Sequence, residues 1–246
     1  WDTETESVVE IQEYFPRTVA LRGKGSAEIR TDSDKNSEIF AENVAAITAG
    51  AQKLLGFHGS PNVVNAFDCF ECNNTVYVVK EYIEGMFLSD FVDSCGGFLD
   101  EETAFSIMLP VLEGLEELHA CGVVHGGITA DSIVITADNE IKITDFSFLK
   151  KGRPYTTEDI TLGLFKEYSP PERYRSKGVY GEYSDIYSAG AVFYKMLSGV
   201  KPLDALNRLN GDDIKNIAEL VPDIAEHTAK AVMKALNISP DLRFKS

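Results

Sequence analysis

A change in the spacing of apolar residues at Glu84–Gly85 constrains the fold of this chain more than any other feature. Before this point, Val63–Phe70 and Thr75–Tyr82 are β-prone runs separated by a short turn, and they predict a hairpin. After it, apolar residues recur at every third or fourth position, which is typical of helices packed on a core. The sequence therefore predicts an α+β chain with a small strand-rich part, a glycine-marked hinge and a larger helical part.

The remaining segments fit this division. We expect a strand over Val8–Tyr14 and a loop over Thr18–Asp34, because the second segment is mostly polar and contains Gly23 and Gly25. Helical spacing covers Ser37–Phe57 in the small part. In the larger part we expect four helices, over Glu101–Ala120, Ser184–Leu197, Asn210–Ala218 and Ile224–Leu236. We also expect two short strands, over Ser132–Ile135 and Ile141–Thr144.

The charge of the chain excludes several classes of function. Its 246 residues, which fit one domain or one domain of two lobes, include 39 Asp and Glu against 23 Lys and Arg, for a formal net charge of −16. A surface of this sign repels nucleic-acid phosphates and anionic lipid headgroups. We therefore expect no nucleic-acid partner and no direct membrane contact from this part of the protein. Solubility is the simplest role of the charge.

Four cysteines raise the question of a metal or redox site, since Cys69 and Cys72 form a C-x-x-C motif. A zinc site needs a second pair of similar spacing, and neither Cys95 with Cys121 nor the four histidines supply one. We therefore expect no metal site. The cysteines fit free thiols of a reducing compartment.

Six segments carry a family resemblance, and they are, in chain order, VVEIQEYFP, LHACGVVHGGITADSIVI, IKITDFS, YSPPERY, YSDIYSAGAVFYKMLSG and ISPDLRFKS. In that order they resemble the V-A-I-K strand, the H-R-D-x-x-x-x-N catalytic loop, D-F-G, A-P-E, the helix after A-P-E, and the terminal segment whose arginine pairs with the A-P-E glutamate. These are motifs of the eukaryotic-type protein kinases, and the first has a form common in bacterial Ser/Thr kinases. The resemblance spans nearly the whole chain.

The resemblance implies a two-lobed protein kinase-like fold, with a partial N-lobe over residues 1–84 and a C-lobe over residues 85–246. It also implies that two strands and the Gly-rich loop lie before Trp1, and that a last helix follows Ser246. Because the sequence starts with Trp rather than Met, we expect a piece of a longer polypeptide. We expect a cytoplasmic location, with the cytoplasmic part of a membrane-anchored protein as the alternative.

The same resemblance puts unexpected residues where a kinase has its phosphotransfer groups. Phosphoryl transfer depends on positioning and on charge neutralisation. Gln12 corresponds to the third-strand Lys, and Gly50 corresponds to the helix Glu. In the catalytic loop, Gly126 and Gly127 correspond to the Arg and the Asp. Thr129 corresponds to the Lys of that loop, and Ser132 corresponds to its metal-binding Asn. Asp145 of D-F-G remains and is followed by Phe146 and Ser147. Asp131, the nearest spare carboxylate, is expected to point away from the phosphates.

The nucleotide pocket implied by the resemblance is also altered. Glu10 takes the place of the alanine that packs on adenine, Lys80 that of the residue at the back of the pocket, and Val134 that of its floor. Charged groups in an apolar pocket cost desolvation unless they are paired. Two interpretations stay open: Lys80 pairs with Glu10 or Asp145 and plugs the cleft, or Lys80 is a displaced phosphate-binding lysine. We favour the first, because this position lies beside the adenine.

Residues with structural roles match the family pattern. The resemblance implies an apolar stack of Leu54, Ala66, His125 and Phe146 that links the lobes. It also implies a buried ion pair between Glu172 and Arg243, and it implies that Asp185 anchors the loop after His125.

We therefore predict a pseudokinase, which is a kinase-fold module that regulates or binds a protein partner without phosphotransfer. No cofactor is expected. The alternative is an atypical Ser/Thr kinase, or a domain that binds ATP and Mg²⁺ weakly through Asp145. In that case, phosphate acceptors are expected in the segment that contains Tyr155, Thr156, Thr157 and Thr161.

Overall fold

The computed structural model describes residues 7–17, 19–57, 59–146, 166–174 and 181–245. Ser147 and the hydroxyl groups of Tyr155, Thr156, Thr157 and Thr161 lie outside these ranges. The described strands are β1 Val9–Glu13, β2 Ala20–Arg22, β3 Ile29–Thr31, β4 Ala66–Cys72, β5 Thr75–Glu81, β6 Gly85–Phe87, β7 Ile133–Thr136 and β8 Ile141–Ile143. The described α-helices are α1 Asp34–Leu55, α2 Leu88–Ser94, α3 Glu101–Ala120, α4 Glu182–Ser198, α5 Ala205–Arg208, α6 Ile217–Leu220 and α7 Glu226–Ala235.

The small lobe, formed by β1–β5 and α1, is built on an antiparallel sheet in the order β1-β5-β4. The predicted hairpin of β4 and β5 is confirmed, and Asn73 and Asn74 make its turn with positive φ angles. Helix α1 packs on β4 and β5 and buries Ile47, Ala51 and Leu54 against them. This packing fixes the helix against the strand β5 that carries Lys80.

The prediction of a loop over Thr18–Asp34 is wrong. Strands β2 and β3 pair antiparallel there, around a turn that contains Gly25 at φ +80°. The hairpin is held by the turn between β4 and β5, since Ile29 N–H donates to Asn73 O at 2.9 Å and Asn74 Nδ2 donates to Ile29 O at 3.3 Å. A pattern of local polarity does not reveal strands that owe their stability to such distant contacts.

The large lobe, formed by the elements from β6 onward, is mainly helical. Helices α3 and α4 cross with Phe105 and Phe193 edge to face, and Gly190 of α4 lies against Ala235 of α7. A short antiparallel sheet in the order β6-β7-β8 lies between the lobes. Val64 N–H donates to Ile143 O at 2.9 Å, which ties the small lobe to β8.

Helix α3 has the bounds that the sequence predicts, because Asp100 caps its first turn by accepting from Thr103 N–H at 2.9 Å. The predicted helix over Asn210–Ala218 is wrong. Arg208 ends the short helix α5, and its guanidinium donates to the carboxylate of Asp212, four residues later in the chain. Asn216 then caps the short helix α6. Within the described ranges, each helix is too short or too polar to cross a lipid bilayer.

Candidate functional site

The register of β1 and β5 defines the upper wall of the site. Glu10 lies opposite Lys80, and Gln12 lies opposite Val78. Because side chains alternate across a strand, Glu10 and Gln12 share the face of the sheet on which Val78 and Lys80 are buried. The position expected to carry a catalytic lysine therefore faces the same side as Lys80 but holds a neutral amide.

Lys80 is the buried cation of this wall, with 1 % of its side chain exposed. Its Nζ lies 3.0 Å from Glu10 Oε1 and 3.7 Å from Asp145 Oδ1. The predicted ion pair is thus present with both carboxylates. Glu10 and Asp145 are 47 % and 31 % exposed, so the group is buried at the ammonium and hydrated at the carboxylates.

The helix that faces this wall supplies no charged partner at the predicted position. Gly50 lies inside α1 and has no side chain, one turn before the fully buried Leu54. An ion pair from Gly50 to the strand is therefore impossible. The carboxylate nearest to the buried lysine comes from β1 instead of from the helix.

The backbone of the loop after His125 is anchored, although residues 126 and 127 are glycines. Asp185 is completely buried and accepts hydrogen bonds from the backbone N–H groups of His125 at 2.8 Å and Gly126 at 2.7 Å. It also accepts from His119 Nε2 at 2.9 Å. The predicted anchoring role of Asp185 is therefore present, while Gly126 and Gly127 offer neither a cation nor a base.

The histidine of this loop has a defined tautomer. His125 Nε2 lies 2.7 Å from Thr144 O, and its Nδ1 accepts from Gly127 N–H at 3.2 Å. A carbonyl only accepts and a backbone N–H only donates, so the proton is on Nε2. The ring also lies 4.7 Å from the ring of Phe146 between centroids, and both residues are fully buried. Together with buried Leu54 and Ala66, the predicted members of the stack are all in the core.

Ser132 stands at the position expected for a metal-binding asparagine. Its hydroxyl donates to Thr129 O and accepts from Thr129 N–H, both at 2.9 Å. These bonds close a 3-10 turn, and both residues are buried. Asp131, which lies between these two residues in the sequence, accepts instead from Ser89 Oγ of α2 and is exposed. The expectation that Asp131 points away from the cleft agrees with this contact.

Asp145 and Val134 complete the lower side of the site. Val134 is buried on β7, opposite Phe87 and Lys142 of the neighbouring strands. Asp145 has φ +64°, a left-handed conformation that is uncommon outside glycine and is enriched at functional positions. The structure therefore brings Glu10, Lys80 and Asp145 together.

A second charged group lies next to the site and was missed from the sequence. Lys142 Nζ of β8 lies 2.9 Å from Glu81 Oε1, and Asn65 donates to Glu81 Oε2 from its backbone and its side chain. Burial alone raises the pKa of the Glu81 carboxyl, but these hydrogen bonds outweigh it and hold the pKa below its ordinary value. The signal available in the sequence was a lysine between two isoleucines of a buried strand.

The large lobe holds the other predicted ion pair. Arg243 donates to Glu172 through Nη1 at 2.7 Å and Nη2 at 3.0 Å. Its remaining N–H groups donate to backbone carbonyls of Tyr183, Asn237 and Ile238. All five guanidinium donors are thus used, which is the condition under which a buried cation is tolerated.

Comparison with known proteins decides the family. The model of the protein kinase domain matches residues 29–243. The chain belongs to the protein kinase family. This kinase-family chain is 29% identical over 245 residues to the probable serine/threonine-protein kinase CPE1738 of Clostridium perfringens, covering 95% of the chain and 34% of that protein. It is 26% identical over 183 residues to the probable serine/threonine-protein kinase PknB of Lactococcus lactis, covering 71% of the chain and 29% of that protein.

Solved structures show the same fold. The apo form of PpkA-294 superposes with a TM-score of 0.84 at 22% identity, covering 99% of this chain and 85% of that one. The kinase domain of PknI from Mycobacterium tuberculosis gives 0.66 at 16% identity, covering 100% of this chain and 83% of that one. The predicted kinase-like fold is therefore confirmed. The chain spans about a third of the length of the curated bacterial relatives named above.

Proposed function

We propose that this kinase-family domain acts without phosphotransfer, as a regulatory module that binds a protein partner. The observation that carries the proposal is the Lys80 group, in which the buried ammonium is held by Glu10 and Asp145. In phosphoryl transfer a lysine neutralises the phosphates and the Asp145 position binds the metal ion. Here the two groups neutralise each other.

The residues of the site do not fit a magnesium–nucleotide complex. Gln12 carries no charge for the phosphates, and Gly127 carries no base. The Ser132 hydroxyl is turned into its own loop, and Asp145 lies 3.7 Å from the ammonium of Lys80. A lost base alone lowers a rate by about 10²–10⁴. The combination supports the absence of phosphotransfer.

The position of Lys80 supports a closed adenine pocket. Adenine is received by apolar walls, and a buried ammonium between two strands removes part of that wall. Displacing Lys80 from its carboxylates costs its pairing energy while the charge stays buried. The binding free energy of adenine therefore includes this unfavourable contribution.

A second candidate is a domain that binds nucleotide weakly and uses Asp145. It is favoured by one observation: Asp145 directly precedes Phe146, whose ring packs at a tilt on that of His125, and the Asp145 carboxylate is 31 % exposed. In this reading Lys80 is a displaced phosphate-binding lysine. The two candidates differ in their response to ATP.

A thermal-shift titration with ATP, with and without Mg²⁺, separates the candidates. We expect no shift for the unmodified protein, because the pocket is closed. We expect a shift for Lys80→Met, in which an apolar side chain replaces the ammonium. Ligand at 100 times its Kd stabilises a protein by about 2.7 kcal/mol, which such a titration detects.

The matched control is Lys142→Met, which makes the same change at the second lysine that is buried among the described residues and leaves Lys80 in place. Its response to ATP should equal that of the unmodified protein. A clear shift of the unmodified protein, lost in Lys80→Met, contradicts the closed pocket and supports the second candidate.

Phosphotransfer itself is tested by incubating the purified protein with ATP and Mg²⁺ and searching for phosphate by mass spectrometry. We expect none on Tyr155, Thr156, Thr157 or Thr161. Phosphate that appears there and disappears in Asp145→Ala refutes the proposed absence of catalysis.

A further inference from the structure

Two ion pairs of opposite direction cross from the small lobe to the large lobe at the end of β5. Lys80 Nζ lies 3.7 Å from Asp145 Oδ1, and Glu81 Oε1 lies 2.9 Å from Lys142 Nζ. Lys80 and Glu81 are consecutive residues of β5, while Lys142 and Asp145 belong to the large lobe. The small lobe therefore supplies the cation of one pair and the anion of the other.

The two pairs start from opposite faces of β5. Successive side chains of a strand point to opposite sides of the sheet, so Lys80 shares its face with Val78, and Glu81 shares the other face with Val79. A rotation of the small lobe that brings one pair closer together stretches the other. The end of β5 is thus held from both sides, and the two pairs resist rotation in both directions.

Hydrogen bonds next to these pairs fix their members in place. Asn65 donates to Glu81 Oε2 from its backbone N–H at 3.2 Å and from Nδ2 at 3.0 Å, so the carboxylate is oriented by its own lobe. Ile143, which follows Lys142, donates to Asn62 O at 2.8 Å, and its carbonyl accepts from Val64 N–H at 2.9 Å. Less conformational entropy is lost when groups that are already ordered form a pair.

These pairs are also more shielded from water than surface ion pairs. The side chains of Lys142 and Glu81 are 10 % and 25 % exposed, whereas those of the surface pair Lys230 and Glu226 are 74 % and 83 % exposed. Salt screens partly buried charges much less than exposed ones. The attraction between the lobes therefore persists at physiological ionic strength.

We propose that the Lys80–Asp145 and Glu81–Lys142 pairs form an interlobe clasp, which holds the two lobes in one relative orientation. The covalent connection between β5 and β6 is only residues 82–84, and a short connection of this kind can act as a hinge. The clasp prevents that motion, so a partner protein meets residues of both lobes as one rigid surface. The proposal goes beyond the proposed function and does not rest on the absence of phosphotransfer.

The distance between the lobes is measured by double electron–electron resonance in the full-length protein. Spin labels are placed on Cys72 of β4 and on Cys95 at the end of α2, which are both exposed, and every other cysteine is replaced by serine, including Cys69 and Cys121. Cys72 pairs with Thr75, about 20 Å along β5 from Glu81, so a small rotation of the lobe moves its label far. We expect one narrow distribution of distances.

Reversing one charge of the clasp should open it. Glu81→Lys places a cation against Lys142, and Lys142→Glu places a carboxylate against Glu81. We expect each change to broaden the distance distribution and to speed hydrogen exchange at the amides of Val64 and Ile143 by about tenfold or more, which corresponds to about 1.4 kcal/mol in the opening equilibrium. The double variant, Glu81→Lys with Lys142→Glu, should restore the narrow distribution, because opposite charges meet again.

Two further variants complete the test. Asp145→Asn removes the partner that Lys80 has across the cleft, and it should broaden the distribution less than the reversals, because it adds no repulsion. The matched control is Lys230→Glu, which reverses one charge of an ion pair within α7 and should leave distances and exchange unchanged. Thermal unfolding of each variant establishes that it is folded.

Four results overturn the proposal. A broad distribution in the labelled protein without further changes shows that the lobes are not held, and a narrow one in both reversals shows that they are held by other contacts. Failure of the double variant to reverse the effect assigns it to the buried charge and not to the pair. An unchanged distribution in Asp145→Asn removes the second pair from the clasp. The ATP titration reports on the pocket and not on the distance between the lobes, so this proposal and the proposed function fail separately.

Discussion

Lys80 in the small lobe and Arg243 in the large lobe are both buried cations, but their charges are compensated by different kinds of partner. Arg243 meets a buried carboxylate and three carbonyls, so each of its five donors is satisfied in a dry site. Lys80 is just as buried, but its partners Glu10 and Asp145 stay partly in water. The Arg243 group is therefore part of the architecture of the lobe, whereas the Lys80 group is the one that we propose to close a cleft.

Replacing Arg243 by Ala should lower the free energy of unfolding more than replacing Asp185, Lys80 or Glu81. It leaves Glu172 buried without its partner, and loss of one member of a buried pair costs about 3–5 kcal/mol. The free energy of unfolding in urea measures this. The control is Lys201→Ala, which breaks an exposed pair with Glu167 and should cost at most about 1 kcal/mol. If both changes cost the same, the Arg243 pair is not architectural.

Replacing Asp185 by Asn should have the next largest effect. Oδ2 accepts from His119 and His125, and Oδ1 accepts from Gly126. The amide has one acceptor oxygen where the carboxylate has two, so either the Gly126 N–H or both histidine N–H groups lose their acceptor. A buried group left unsatisfied costs about 1–3 kcal/mol. Hydrogen exchange should also become faster at the amides of residues 125 and 126. Unchanged exchange at those amides contradicts the anchoring role.

Replacing Lys80 by Met should change stability by about 1 kcal/mol or less, although Lys80 is as buried as Arg243. The freed carboxylates of Glu10 and Asp145 are already hydrated, and replacing buried charge by an apolar group of similar volume is often neutral. Urea unfolding measures the change. A loss of unfolding free energy as large as that of Arg243→Ala contradicts the distinction between the two groups.

Replacing Glu81 by Gln should have the smallest effect at neutral pH and a clear effect on acid stability. The pKa of Glu81 is lowered in the folded protein, so its contribution to stability is present above the ordinary Glu value of 4.5 and is lost as the pH falls through the lowered value. The difference in urea midpoint between the unmodified protein and Glu81→Gln should therefore shrink below pH 4.5. A constant difference from pH 7 to pH 3 excludes this ionisation as its source.

Much of the fold was available from the sequence because its signals are local. The bounds of α3 were predicted from its apolar stripe, and the β4–β5 hairpin was predicted from two apolar runs around Asn73 and Asn74. The ion pair of Lys80 was also predicted, because the resemblance assigned Glu10 and Asp145 to the same cleft. The structure adds that both carboxylates share one lysine.

The parts that were missed depend on contacts between distant residues. The β2–β3 hairpin has a polar sequence and is held by the turn at Asn73 and Asn74. The bond from Asn74 to Ile29 joins residues that are 45 positions apart in the sequence. The pair of Glu81 and Lys142 joins two strands of different sheets, and no spacing rule connects them.

The carboxylate of Asp185 has a consequence for protein engineering. It fixes the backbone after His125 through the N–H groups of residues 125 and 126, and in this backbone Gly126 has φ +70°, a left-handed conformation in which any other side chain is strained. A programme to place phosphotransfer side chains in this loop therefore has to leave Asp185 untouched, and it has to change the backbone at residue 126 together with its side chain.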